Sequence, residues 1–274
     1  MSHSQVDTPS PPGEAETERA RTEAAARRRR RQRVRRLSGH LWTPVLVAVS
    51  WVALYLWVSA QELGAAEQRN LTWPRVREAF VEHLDISLWA TFYVLVLAIP
   101  LGVVLTRRWA RRIAPPIVTI ANIGQGVPSL GTIILAFLIV TRTGRDAAII
   151  GLVAYCFLPV LRGTMVGLQQ VSDDVIKAAR GMGLSKLQVL RSIELPLSVP
   201  VVLTGVRTSL VLTVSSAPLA AFIGGGTLGG FIVSGFALTR PTIIITGAVL
   251  AAGLALLADW AGGIIEAVLQ PKGL

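Results

Sequence analysis

The sequence is poor in the residues that soluble enzymes depend on. Of its 274 residues only 16% are charged, against about 25% in an average globular chain. The single cysteine, Cys156, excludes an internal disulfide and any cysteine-based metal cluster. It lies in the apolar run Ala154-Tyr155-Cys156-Phe157, where packing is its expected role. The three histidines, His3, His40 and His83, are scattered and match no metal spacing. No Gly-x-x-x-x-Gly-Lys followed by Ser or Thr occurs, so the chain has no P-loop for ATP. No Gly-x-Ser-x-Gly nucleophile elbow occurs either. No catalytic residues and no metal ligands are therefore assigned, which argues against a membrane-bound enzyme. Lysine is scarce too, so the basic excess behind the net charge of +11 is almost all arginine.

What the chain has is hydrophobic residues, 52% of the total, gathered in long uncharged runs. About 20 apolar residues rising 1.5 Å each cross a ~30 Å hydrocarbon core. Leu41–Ala60 and Ile86–Leu105 each reach that length without a charge. The expected class is all-α: a polytopic membrane protein with spans at about 41–60, 86–105, 114–140, 147–168, 197–222 and 242–268. The third is interrupted at Gly124-Gln125-Gly126-Val127-Pro128-Ser129, which predicts two half-helices or a kink. Residues 1–40 read as a disordered basic cytoplasmic tail, 41–81 as a first span and outer loop, 82–268 as the transmembrane core, and 269–274 as a short cytoplasmic tail. The lead-in of 40 residues and the 20-residue run suit a retained span rather than a cleaved signal peptide.

Orientation follows from counting Lys and Arg. With the N-terminus inside, the inner segments (1–40, 106–113, 169–196, 269–274) hold 19 and the outer ones six. The positive-inside rule then places both termini in the cytoplasm. The arginine block at 27–36 abuts a span and lacks interleaved aromatics. It reads as a topology signal attracted to anionic lipid, not as a nucleic-acid site.

The insert at 169–196 is the most informative stretch. Ser172 is a predicted N-cap, with Asp173 and Asp174 in the first turn where negative charge suits the helix dipole. Val175, Ala178, Ala179 and Met182 follow i, i+3, i+4, i+7 and predict one small-residue apolar face. Gly181 and Gly183 end that helix. Ser185 and Gln188 form a capping box for a second, which Pro196 is expected to stop before the next span. A short helix pair with a face of alanines suggests a partner surface. A DNA-reading helix-turn-helix is disfavoured, because the insert is tethered between spans and carries only four basic residues.

This stretch resembles the EAA loop of ATP-binding-cassette importer permeases, whose pattern is Glu-Ala-Ala, three residues, Gly, nine residues, Ile-x-Leu-Pro. Ala178, Ala179, Gly183, Ile193, Leu195 and Pro196 stand at those positions, and Lys177 replaces the family's Glu. The departure reverses the charge at one contact point. The resemblance implies a type I importer permease fold whose loop docks on a cytoplasmic ATP-binding subunit. ATP and Mg would belong to that partner and no cofactor to this chain. It further implies an extracytoplasmic solute-binding protein, a second permease chain in a homo- or heterodimer, and residence in a bacterial cytoplasmic membrane. Val127-Pro128-Ser129-Leu130, Tyr155–Arg162 and Ala178–Gly183 look most like permeases for osmoprotectant quaternary amines such as glycine betaine, choline and carnitine. An importer for amino acids or another small organic cation shares the scaffold. An ion-coupled secondary transporter is the rival from another class; its inverted repeat and mid-membrane acids are not seen.

Broken helices often line transporter binding sites, so Gln125, Pro128 and Ser129 are candidates for the pathway, with Ser215 and Ser216 from the fifth span. The glycine run 224–230 predicts a turn or close helix packing. Asp259, beside Trp260, is expected to be an interfacial anchor, and Arg207 to pair with a neighbouring helix or to snorkel. Trp89, Phe92, Tyr93, Tyr155 and Phe157 read as packing or interfacial belts rather than as a cation site.

Overall fold

The computed structural model describes residues 42–140 and 144–269. The tail at 1–40 and residues 270–274 lie outside the described residues. The chain divides into Met1–Thr43 and Pro44–Leu274, and the helical bundle belongs to the second unit. Among the described residues there is no strand.

Helix α1 (Trp42–Ser59) is followed by α2 (Ala65–Asn70) and α3 (Trp73–Leu105). The expected span at 86–105 is only the second half of α3, which runs for 33 residues, ~50 Å at the usual rise. Thr72 and Pro74 start it early. Val76, Ala79, Phe80 and Leu84 pack on a cluster built from Val214, Leu228, Phe231, Ile243, Ala251 and Leu254. That apolar seam outweighs the charges of the expected outer loop. In α2, Glu67 accepts a hydrogen bond from the Gly64 N–H at 2.8 Å. This donor first, then the Thr242 hydroxyl and Arg240, holds the carboxyl below its usual range against the opposing effect of burial.

The interrupted span is two helices, α4 (Ala114–Gly126) and α5 (Ser129–Val140), bent by 105°. Proline disfavours helical backbone in the residue before it, and Val127 is extended at φ −72°, ψ 135°. Helix α6 (Gly144–Gln169) follows. Ala114 and Pro115 share a cleft with Leu105 and Leu168, whereas Arg145 pairs with Asp85, ~30 Å along α3 from Leu105. The bent pair therefore runs from one end of the bundle to the other and makes one net crossing. Among the described residues five helices are long and apolar enough to cross a membrane, and the bent pair, taken as one span, makes six.

After α7 (Asp173–Gly181), the second helix of the insert does not stop at Pro196. Helix α8 (Lys186–Val189), a π-helical segment at Leu190–Glu194, α9 (Leu195–Ser216) and a 3-10 segment to Ile223 form one 38-residue rod. Proline removes an N–H and crowds the carbonyl four residues back. The π segment opens the ladder there, so the helix absorbs Pro196 instead of ending.

Gly224 and Gly226 take positive φ and turn the chain. The glycine run also starts a helix, α10 (Gly229–Ala237), where a Cβ on Gly229 would strike the Pro218 backbone. Both expected readings of the run, turn and close packing, are present. Helix α11 (Pro241–Leu269) packs antiparallel to α9.

The α6–α9 crossing rests on small residues. Gly163 and Gly167 of α6 are four apart. A Cβ at Gly205 of α9 would lie 2.6 Å from the Pro159 carbonyl and 3.3 Å from Gly163 Cα. Such spacing lets helix backbones approach closely in a membrane.

Candidate functional site

The 169–196 insert folds largely as its caps dictate. The Ser172 hydroxyl accepts the Asp174 N–H at 3.3 Å. In the second helix, the Gln188 N–H donates to the Ser185 hydroxyl and the Ser185 N–H to the Gln188 side chain. Between them, Gly183 stands at φ +88°. Its N–H reaches the Arg180 carbonyl, and the Leu184 N–H reaches the Ala179 carbonyl. This is a Schellman motif, whose left-handed residue is usually glycine. A Cβ on Gly183 would meet nothing within 4 Å, so backbone conformation accounts for glycine here.

The expected apolar face divides. Val175, Ala178 and Met182 are exposed, but Ala179 is 1% exposed and packed into its own chain. Ala179 is small because the insert folds back at that point. Lys177 is exposed and lies 3.4 Å from Asp174, an open pair of little energetic worth. Ile193 and Leu195 are half-buried on the rod, while Pro196 is exposed.

Glu194, in the π segment, was not singled out from the sequence. Its carboxylate is 9% exposed and receives the Arg107 guanidinium at 2.6 Å. Arg107 follows α3, so the pair ties the root of the insert to the end of another span. Beside it lies a cleft of about 1260 Å³, lined by Arg107, Arg108, Arg111, Arg180 and Lys186 among other residues.

The expected pathway residues fall in two places. Gln125 and Ser129 are half-buried at the α4–α5 elbow, and Pro128 is exposed. There Gly124 approaches the Ala154 carbonyl, and Arg162 of α6 donates to Asn122 at 2.7 Å. Ser215 is exposed and donates to the Leu212 carbonyl of its own helix. Ser216, on the other side of α9, is buried.

Asp259, expected as an interfacial anchor, is the partner of Arg207, which was expected to pair with a neighbouring helix or to snorkel. Arg207 donates to both Asp259 oxygens at 2.8 Å and reaches Glu266 at 3.4 Å. The opposite charges of Arg207 and Asp259 in two spans were the available signal. Among the described residues no group of three or more His, Cys, Asp or Glu could hold a metal.

Residues 98–269 match the family described as the binding-protein-dependent transport system inner membrane component. The chain is 41% identical over 194 residues to the choline transport system permease protein OpuBB of Bacillus subtilis, covering 70% of this chain and 88% of that one. It is 40% identical over 194 residues to the glycine betaine/carnitine/choline transport system permease protein OpuCB of the same organism, with the same two shares. Its fold is similar to that of the inward-facing MetNI methionine ABC transporter, at a TM-score of 0.64 and 23% identity, over 73% of this chain and all of that one. With a family match across most of the helical core and relatives this similar along most of their length, the chain belongs to the binding-protein-dependent transport system inner membrane components, as a multi-pass translocation subunit rather than an enzyme.

Proposed function

We propose that this chain is the permease of an ATP-driven importer for osmoprotectant quaternary amines, with glycine betaine, choline and carnitine as the substrate class. The observation that carries this reading is the insert: a helix with an exposed Ala178 rim, joined through the Gly183 turn to a second helix that continues through the π segment into a full membrane span. Such a rod can deliver motion from a docked ATPase into the bundle. The substrate class is supported by the relatives, which are named as choline and glycine betaine/carnitine/choline permeases. A separate subunit binds ATP and Mg, a solute-binding protein delivers the substrate outside, and a second permease chain supplies the other docking loop. Gln125, Pro128 and Ser129 at the elbow line the pathway.

The test is complementation. In bacteria stripped of their own osmoprotectant importers, the chain with its ATPase and binding protein should restore glycine betaine-dependent growth in high-salt medium. Growth restored by amino acids but by none of the quaternary amines would favour the amino-acid reading.

In this reading both termini are cytoplasmic, in line with the Lys/Arg bias and the six crossings. Phosphatase and fluorescent-protein reporters fused to either end should report the inside. Phosphatase activity from one end would break the topology.

A further inference from the structure

We propose that the cleft between the insert and the ends of α3, α4 and α6 binds the headgroup phosphate of an anionic phospholipid, with Arg108, Arg111 and Lys186 holding it. The proposal rests on the cytoplasmic placement of the insert in the reading above and adds a lipid site to it.

Depth carries the first step. Leu105 ends α3, Ala114 begins α4 and Leu168 lies at the end of α6, and all three line the cleft. The cleft therefore opens where three helices leave the hydrocarbon. Val118, a turn into α4, and Met165, a turn back along α6, extend its wall toward the membrane with apolar side chains. Trp109 also lines it and is 73% exposed, an amphipathic ring of the kind found at headgroup level. A phospholipid matches both parts, with acyl chain along the wall and phosphate among the arginines. Inorganic phosphate has no use for the apolar wall.

Charge carries the second. Five basic side chains line the cleft against two acidic ones, Asp173 and Glu194. Glu194 is engaged by Arg107, and Arg180 donates to the Leu184 carbonyl at 2.6 Å. Arg108, Arg111 and Lys186 pair with no acid among the described residues. They come from two segments, the α3–α4 connection and the start of α8, and converge on one concavity of about 1260 Å³. Basic pockets between spans on the cytoplasmic side suit anionic headgroups. Helix geometry keeps this one clear of the docking rim. On α7, Asp173, Ile176 and Arg180 line the cleft, whereas Val175 and Ala178 are offset by two residues, about half a turn, and face the other way. An ATPase seated on the Ala178 rim leaves the cleft to lipid.

The experiment is lipid titration by native mass spectrometry on the full chain in detergent, alone and assembled with its ATPase. Phosphatidylglycerol should bind more tightly than phosphatidylcholine in both. Arg108→Gln, Arg111→Gln and Lys186→Gln together should weaken phosphatidylglycerol roughly a hundredfold, about fivefold for each cation removed. Binding of phosphatidylcholine should be unchanged, which also reports an intact fold. Arg112→Gln, Lys177→Gln and Arg191→Gln remove the same charge from exposed positions outside the cleft, and should leave both affinities nearly as they were. Equal losses in the two triple variants would mean general attraction to basic protein and overturn the site. A preference lost on assembly would mean that the ATPase covers the cleft, and would overturn the lipid as its occupant. Displacement of phosphatidylglycerol by inorganic phosphate at matched concentration would identify a soluble-anion site instead. The titration involves no transport, so its failure leaves the permease reading to stand or fall on complementation.

Discussion

Replacing Ala178 by Trp is expected to detach the ATPase and abolish uptake while leaving the permease folded in the membrane. Ala178 is exposed on α7, so the added ring is not forced into the chain's own core. It would meet whatever docks there. Overpacking a close contact costs about 1–3 kcal/mol, which weakens association roughly five- to 150-fold. The measurement is co-purification of the ATPase with wild-type and variant permease, alongside uptake. Normal values in both would mean that this rim does not dock.

The neighbouring small residues are poorer probes, for physical reasons. Ala179 is buried in the chain itself, so a larger residue there would disturb the insert before any partner arrived. Gly183 holds a left-handed conformation that costs an ordinary residue about 1–2 kcal/mol, so substitution would unsettle the Schellman turn. Lys177→Glu restores the family residue at an exposed position. It should weaken coupling only where Lys177 meets an acid on its own ATPase.

The second large effect is expected inside the bundle. Gly205→Val should lower the melting temperature sharply and cut the yield of monodisperse protein. The added Cβ would sit 2.6 Å from the Pro159 carbonyl and 3.3 Å from Gly163 Cα. Both obstacles are backbone, so α6 and α9 must separate, at a cost at or above the ~3 kcal/mol upper end of ordinary overpacking. Gly230→Ala is the matched control, because a Cβ there meets nothing within 4 Å. Equal melting temperatures for the two variants would contradict the close crossing.

Much of this architecture was legible locally. Ser172, Ser185 and Gln188 cap where their spacing says they should, since a cap needs only neighbours a turn away. The elbow was legible because proline constrains the residue before it. Continuity through Pro196 was not, because it depends on a π segment that relieves the proline and on Arg107 securing Glu194 from 87 residues away. The 33-residue length of α3 was hidden for a related reason: its charged first turns are held by apolar contacts with distant helices. Arg207 and Asp259 were each visible as charges in a span. Their bidentate pairing depends on the antiparallel packing of α9 and α11 and on two glycines that make room for it. For the same reason the insert's pattern identified the right positions but could not divide them into outward and inward. Ala178 and Ala179 are adjacent in sequence, and only the fold-back buries the second.

The central claim is that motion of the insert drives import of a quaternary amine. The most direct test is uptake of radiolabelled choline and glycine betaine into proteoliposomes that hold the permease with its ATPase, with the binding protein on the substrate side and ATP on the other. Accumulation of either solute that requires ATP and the binding protein, and that is lost in Ala178→Trp, is the expected result. ATP-independent uptake driven by an ion gradient, or uptake undiminished in Ala178→Trp, would contradict it.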